Sequence, residues 1–144
     1  MTKTIRQILE KKPGVYSIGP QATVFEALKV MAEKNVGALV VLQGDDLAGI
    51  FSERDYARKV ALLGKSSRDM LVNEIMTARV VTIGPDRTAG ESMALMTDQR
   101  IRHLPVMDGG KLIGVISIGD VVRAVVEEQQ FTIKQLENYI HGGG

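Results

Sequence analysis

The chain has 144 residues, of which 44% are hydrophobic and 24% charged, and its formal net charge is +1. This length suits one domain or two very small ones, and the near-neutral charge argues against nucleic acid as a partner. The absence of Cys excludes disulfides and thiolate metal sites and fits a reducing compartment, while charges interrupt every apolar run well before the ~20 residues that a membrane span needs, so we expect a cytoplasmic protein without membrane contact.

The first sixty residues predict the order β-α-β-β-α after a short leading helix over residues 4–11. A strand is predicted over residues 15–18, before a Gly-Pro turn. Thr23 and Glu26 are spaced as a capping box and open a helix with apolar residues at helical spacing. An apolar run over 38–42, a turn at Gly44 and a second run over 47–51 predict a buried hairpin, and a closing helix begins at Ser52.

The second half of the chain repeats the first. Residues 80–125 align without a gap on residues 15–60, with 16 identical pairs in 46 positions, where about three would match by average residue usage. A strand over 80–83, a helix opened by Thr88 and Glu91, a hairpin and a closing helix at Ser117 are therefore predicted. A second leading helix is predicted over 72–76, and the last helix continues through Ile140 to a Gly142–Gly144 stop.

Two copies are too few for a solenoid, so each is expected to bury the apolar face of the other. The predicted fold class is α/β (α+β), with two β-α-β-β-α copies related by a pseudo-twofold axis. The predicted domains are residues 4–60 and 72–126, joined by a linker over 61–71 and followed by a helical extension over 127–144.

Each copy carries the pattern Gly-x-x-Ser-x-x-Asp, at residues 49–55 and 114–120. Alone, Ser-x-x-Asp is a helix N-cap, in which the hydroxyl accepts a backbone N–H and the carboxylate is favoured by the helix dipole. Its recurrence at equal depth, and a Gly that admits close approach to the backbone, favour a binding site. A carboxylate there can accept two hydroxyls, as the vicinal diol of a ribose requires.

The repeat plan, both Gly-x-x-Ser-x-x-Asp segments and the run Arg102-His103-Leu104-Pro105-Val106 before an Asp-Gly turn resemble a tandem pair of CBS (cystathionine β-synthase) domains. This pair is called a Bateman module, and the resemblance covers residues 4–126. It implies a stand-alone regulatory protein of bacterial signal-transduction type. It also implies two clefts that bind adenosine compounds: AMP, ADP, ATP, NAD(H) or S-adenosylmethionine.

By position, the resemblance implies that an Asp of one copy holds the ribose while strands of the other copy clamp the base. One cleft then joins Ser52 and Asp55 to Val81, Thr82, Ile83, Ile101, Arg102, His103 and Pro105. The other cleft joins Ser117 and Asp120 to Tyr16, Ser17, Ile18, Val36, Gly37 and Ala38. The side chain of Arg54 is a further candidate that can reach into either cleft.

The copies differ where a phosphate should lie. Arg102 and His103 offer donors suited to phosphate, whereas the matching positions are Gly37 and Ala38. The cleft of Asp55 is therefore predicted to be the stronger phosphate binder. Simpler explanations remain open, because Arg58 and Arg123 are spaced to pair with the Asp three residues earlier and His103 also suits a hydrogen-bonded core His.

Three functions follow. The first is a non-catalytic nucleotide sensor that signals through a conformational or dimer rearrangement, with a homodimer and an unidentified regulated protein as partners. The second, an enzyme, is disfavoured because phosphate-binding loops, metalloprotease and nucleophile-elbow motifs are absent, so no catalytic or metal-binding residues are predicted. The third is a dimerisation or partner-docking module with vestigial nucleotide sites, supported by the long apolar last helix.

Overall fold

A computed structural model describes residues 3–141, and its elements follow the predicted order except for the strand predicted over 80–83. The first half comprises α1 (Ile5–Leu9), β1 (Ser17–Ile18), α2 (Val24–Lys34), β2 (Ala38–Gln43), β3 (Asp46–Ser52) and α3 (Glu53–Tyr56), which continues as a π-helical turn over Ala57–Ala61. The second half comprises α4 (Val72–Ile75), α5 (Ala89–Gln99), β4 (His103–Asp108), β5 (Lys111–Ser117) and α6 (Ile118–Ile140). The predicted mixed fold of two related halves is confirmed.

The two hairpins share one register. In β2 and β3, Ala38 lies opposite Ser52, and in β4 and β5, His103 lies opposite Ser117. Both hairpins carry an irregularity after the same strand position, Val41 in one and Val106 in the other. The register therefore brings the edge of each cleft, at the start of one strand, beside the Ser that caps the closing helix.

The predicted strand over 80–83 is wrong. In the first half β1 pairs in parallel with β2, and Ser17 lies opposite Val40. In the second half Ile83 alone forms a parallel bridge, with Val106. The position that matches Val40 is Pro105, which has no N–H to donate and cannot extend a parallel ladder toward Thr82.

Each long helix ends where a cleft edge begins. Thr23 caps α2, and Thr88 caps α5 in a reciprocal capping box with Glu91. Asn35 and Arg100, the C-caps of α2 and α5, have φ of 54° and 56° and adopt the left-handed conformation. This turn reverses the chain and directs residues 36–38 and 101–103 to the cleft edges.

The leading helices are exchanged between the two halves. Ile5 and Ile8 of α1 are buried in the core of the second half, and Val72 and Ile75 of α4 are buried in the core of the first half. Backbone hydrogen bonds fix both helices, since the Ile5 N–H donates to the Arg87 carbonyl at 2.9 Å and the Val72 N–H to the Ala22 carbonyl at 2.8 Å. The predicted domain bounds follow chain order, whereas the packing crosses between them.

The glycines of the repeated motif make this exchange possible. A Cβ on Gly49 would lie 2.8 Å from the Thr77 carbonyl oxygen and 2.7 Å from the sulfur of Met76. A Cβ on Gly114 would lie 2.6 Å from a methyl carbon of Leu9. The close approach that the sequence predicted at these glycines is therefore made by the leading segments of the chain itself.

The final helix extends beyond the second half, as predicted, and α6 ends at Ile140. Val121 and Ala124 are buried against the core, whereas every residue from 129 to 141 is exposed. The predicted stop at Gly142–Gly144 lies outside the described residues. Between residues 3 and 141 no helix combines the length and the apolar character needed to cross a membrane.

Candidate functional site

The first candidate carboxylate, Asp55, lies in the first turn of α3. The Asp55 N–H donates to the Ser52 hydroxyl at 3.2 Å, and the Ser52 N–H donates back to the carboxylate at 3.0 Å. Two more groups reach the other carboxylate oxygen: the Thr77 hydroxyl at 3.2 Å and the Lys59 ammonium at 3.1 Å. Asp55 is 8% exposed, and these partners satisfy the oxygens of the buried carboxylate.

The second candidate carboxylate, Asp120, occupies the same place in α6. It exchanges backbone and hydroxyl hydrogen bonds with Ser117 at 2.8 and 3.2 Å. Two cations hold it: Lys12 Nζ at 2.6 Å on one oxygen and Arg123 Nη2 at 2.7 Å on the other. Burial raises the pKa of Asp120, but the hydrogen bonds from Lys12 and the Ser117 backbone outweigh this effect and hold the pKa below its ordinary value.

Of the two ion pairs that the spacing indicated, Arg58 with Asp55 and Arg123 with Asp120, one forms. Arg123 does pair with the Asp three residues earlier, as the spacing indicated. At the first carboxylate the partner is Lys59, four residues on, whereas Arg58 is an exposed residue. Arg54 also differs from the prediction, because its guanidinium donates to the Arg100 carbonyl at 2.9 Å and links the two halves at the end of α5.

Besides Lys59, sequence reasoning missed two residues that contact the carboxylates from outside their own half, Lys12 and Thr77. Each precedes one half and reaches the carboxylate of the other half. They stand 65 residues apart (77 − 12), which is the repeat offset. Extending the alignment upstream of residue 15 at this offset would have paired the two positions.

A basic cavity adjoins Asp120. Its volume is about 230 Å³. Its charged lining comprises the side chains of Lys3, Lys11, Lys12, Asp120, Arg123 and Glu127. Glu127 pairs with Lys3 at 3.3 Å and with Lys11 at 3.7 Å. Four cations therefore face two carboxylates, which favours an anionic ligand.

His103 lies between the halves, on the side of Asp120. Its ring comes within 3.5 Å of where a Cβ of Gly37 would stand, so the glycine leaves room for the imidazole. Burial lowers the pKa of His103, the positive charges of Lys12 and Arg102 lower it further, and Asp120 opposes them. Two of the three charges that act on His103, those of Lys12 and Asp120, belong to the Asp120 group, whereas the resemblance placed this residue with Asp55.

The other predicted cleft residues lie along the two inner edges. In the first half Tyr16 is half-buried with Lys34 above its ring at 5.5 Å, Ser17 and Ile18 form β1, and the Gly37 carbonyl accepts from the Glu53 N–H at 3.1 Å. In the second half the exposed Arg102 has its carbonyl bonded to the Ile118 N–H at 2.8 Å, the equivalent contact. The remaining predicted residues are buried or half-buried, apart from the exposed Thr82: Val36, Ala38, Val81, Ile83, Ile101 and Pro105.

The repeated fold and its paired clefts define a class of two-copy regulatory modules. A family model for the CBS domain matches residues 5–62 and again residues 72–127. The chain therefore belongs to the CBS-domain family and carries two CBS domains in tandem. CBS domains of this class are regulatory and generally non-catalytic, and they bind ligands.

Relatives and solved structures agree with this assignment. The mitochondrial CBS domain-containing protein CBSX3 of Arabidopsis thaliana is 48% identical over 126 residues, which cover 84% of this chain but only 61% of that relative. A solved CBS-domain structure assigned to signal transduction, from Burkholderia ambifaria, is 55% identical with a TM-score of 0.85 and covers 91% of this chain and 99% of its own. A hexameric CBS-CP12 protein from bloom-forming cyanobacteria is 34% identical with a TM-score of 0.76, over 85% of this chain and 67% of its own.

Proposed function

We propose that this protein is a non-catalytic sensor that binds adenosine nucleotides in the clefts between its two CBS domains. The candidates are AMP, ADP, ATP and NAD(H), with S-adenosylmethionine as a further adenosine compound. One observation carries the proposal: each closing helix presents a carboxylate that a residue of the opposite leading segment contacts. A ligand bound to Asp55 or Asp120 would therefore touch both halves, and its binding can shift their packing.

The charges favour the cleft of Asp120 for the phosphate. Lys12 and Arg123 contact this carboxylate, and Lys3 and Lys11 line the adjoining cavity. A sugar diol can donate to a carboxylate, while ammonium and guanidinium groups donate to phosphate oxygens. This assignment is the reverse of the sequence-based one, which relied on Arg102 and His103.

In the proposed sensor, Lys12 is the residue whose contacts change when a ligand binds. Its ammonium is held by the Val115 carbonyl at 2.8 Å and by Asp120 at 2.6 Å, and it ties the segment after α1 to the start of α6. Ribose hydroxyls on the carboxylate would release this ammonium toward the phosphate. The link between the leading segment and α6 then passes through the ligand, and the packing shift is limited by the ligand's differential affinity for the two arrangements.

Thermal unfolding with AMP, ADP, ATP, NAD⁺ or S-adenosylmethionine tests the proposal. A ligand at 100 times its Kd should stabilise the protein by about 2.7 kcal/mol and raise Tm by roughly 5 to 10 °C. Asp120→Ala should remove most of this shift for a phosphate-bearing ligand. Glu91→Ala is the matched control, because it removes the same kind of capping carboxylate from α5, away from both clefts.

If Asp120→Ala and Glu91→Ala lose the same fraction of the ligand shift, Asp120 has no role beyond capping. If no adenosine compound shifts Tm, the docking alternative replaces the sensor: a homodimeric module with vestigial sites that binds a partner protein. The exposed apolar side chains of α6 support that alternative. In either case we propose a cytoplasmic homodimer that acts on a regulated protein.

A further inference from the structure

We infer that α6 pairs with α6 of a second copy as a parallel, two-stranded coiled coil. Six residues along the helix alternate between spacings of four and three, which is the heptad spacing of a coiled coil: Val122, Val126, Gln129, Ile133, Leu136 and Ile140. We call these six residues the seam. This inference rests on the homodimer part of the proposed function and not on nucleotide binding.

The seam is exposed along its whole length. The relative exposure of its apolar side chains rises from 44% at Val122 and Val126 to 55% at Ile133, 57% at Leu136 and 73% at Ile140. The opposite face of the first turns is buried in the core through Val121 and Ala124. One apolar line thus runs from the docked part of α6 into the extension, where the described residues offer it no cover.

The residue types of the seam indicate that the helix packed against it is α6 of a second copy. Two helices whose apolar residues repeat every 3.5 positions wind around each other, and identical seams are complementary by construction. In the heptad notation a to g, positions a and d face the partner helix. The β-branched residues Val126, Ile133 and Ile140 occupy position a of the seam, and Leu136 occupies position d. β-Branched a positions with Leu at d favour two parallel strands.

Gln129 distinguishes parallel from antiparallel pairing. In a parallel pair the two copies of Gln129 meet in one layer, where each amide can donate to and accept from the other. In an antiparallel pair of the same seam, each Gln129 would face Ile133 and leave its amide without a partner in two separate layers. A buried polar group without a partner is costly, so the seam favours the parallel arrangement.

Formation of the coiled coil costs little conformational entropy. The capping box of Ser117 and Asp120 and the buried face of α6 already fix the helix, so pairing does not have to nucleate it. Covering five half-exposed aliphatic side chains in each of two copies removes on the order of 1,000 Å² from water, which reaches the lower range of specific interfaces.

Cysteine pairing tests the inference directly, because the chain has no Cys of its own. Leu136→Cys places a thiol in the seam, and Asn138→Cys places one on the opposite face of the same turn. With the full chain under mild oxidation, Leu136→Cys should form disulfide-linked dimers at least about tenfold faster than Asn138→Cys, since a disulfide needs Cβ atoms within about 4.5 Å. Equal rates would overturn the inference.

Charge in the seam gives a second test. Ile133→Asp should raise the dimer Kd of the α6 pair by about 100-fold, because it buries two facing carboxylates. Phe131→Asp is the matched control, because Phe131 is equally apolar and 64% exposed but faces Lys3 and Gln7 away from the seam. Combining Ile133→Asp with Leu136→Cys should abolish the cross-link, while combining Phe131→Asp with Leu136→Cys should retain it.

Two further outcomes are informative. Cross-linking of a mixture of Val126→Cys and Leu136→Cys chains, without cross-linking of Leu136→Cys alone, would show antiparallel pairing and overturn the parallel arrangement. The nucleotide-induced Tm shift of Ile133→Asp should equal that of the wild type. A Leu136→Cys chain that cross-links through the seam but shows no nucleotide-induced Tm shift would contradict the sensor function alone.

Discussion

The two clefts have the same backbone construction but different charges. Asp55 and Asp120 both accept hydrogen bonds at the start of a closing helix, in equivalent capping boxes. The group that reaches each carboxylate from the opposite leading segment differs: a neutral Thr77 hydroxyl in one cleft and the Lys12 ammonium in the other. The repeat therefore preserves the capping interactions that begin each closing helix and varies the charge of the residue that contacts the carboxylate from the other half.

The largest expected effect is a loss of folding stability when the glycine of each repeated motif is replaced by Ala, and this loss should differ between the two halves. Gly49→Ala should lower the free energy of unfolding by about 3 kcal/mol and Gly114→Ala by about 1 kcal/mol. The difference arises because the first Cβ meets a backbone carbonyl, that of Thr77, while the second meets the end of the flexible Leu9 side chain. Urea unfolding of the two variants measures the difference.

Gly84→Ala is the control for this pair, because a Cβ at Gly84 meets no atom within 4 Å. Its stability should remain within about 0.5 kcal/mol of the wild type. Equal losses for Gly49→Ala and Gly114→Ala would contradict the distinction between backbone and side-chain contact in the two halves.

Lys12 and Thr77 contact the carboxylates from the opposite leading segments. Exchanging these two residue types should exchange the phosphate preferences of the two clefts. Lys12→Thr should weaken AMP binding about tenfold, a loss of about 1.4 kcal/mol, and leave the binding of adenosine without phosphate nearly unchanged. Thr77→Lys should strengthen AMP binding at the cleft of Asp55 by a similar factor. Calorimetric titration of both ligands into each variant measures the changes.

Lys29→Thr serves as the control for the exchange, since Lys29 is exposed on α2 and the substitution removes the same charge. An equal loss of AMP affinity in Lys29→Thr and Lys12→Thr would mean that only the net charge matters. Equal losses for AMP and adenosine in Lys12→Thr would place Lys12 at the sugar instead of the phosphate.

The smallest expected effect concerns pH. Burial lowers the pKa of His103 below its ordinary value of 6.5, so at mildly acidic pH the unfolded chain binds the proton more strongly than the folded chain. The stabilising contribution of neutral His103 is complete above pH 6.5 and is lost as the pH falls toward the lowered value. His103→Gln should flatten this part of the Tm-against-pH curve.

The other histidine provides the comparison. His141→Gln changes an exposed residue beyond the end of α6 and should leave the curve unchanged. A curve for His103→Gln that follows the wild type across this range would contradict the role of His103. The effect of Asp120→Asn on stability should appear at a lower pH than that of His103→Gln. The pKa of Asp120 is held below its ordinary value, so the stability that its carboxylate contributes is lost only as the pH falls and the carboxyl protonates.

Much of the fold was predictable because it depends on local chemistry. Thr23, Thr88, Ser52 and Ser117 each cap the helix that their spacing indicated, and both hairpins follow from apolar runs broken by turn residues. The lost strand over 80–83 was also readable in principle, because Pro105 stands where the parallel partner needs an N–H.

The exchange of the leading helices was not predictable from these signals. The apolar pattern of α1 shows that Ile5 and Ile8 are buried but not which core receives them, because both cores have similar composition. The placement of His103 near Asp120 follows instead from the register of β4 and β5, which sets His103 opposite Ser117 and which the hairpin prediction did not specify. The contacts of Lys12 were missed because a Lys three residues after a short helix suits a solvated surface equally well.

The crossed position of α1 has a consequence for the order of events during synthesis. The Ile5 N–H bonds to the carbonyl of Arg87, so residues separated by 82 positions (87 − 5) must meet before α1 is covered. The core of the first half likewise waits for Val72 and Ile75. On the ribosome the first core can close once α4 has emerged, whereas α1 stays uncovered until the second half is made, so completion of the second core depends on this long loop closure.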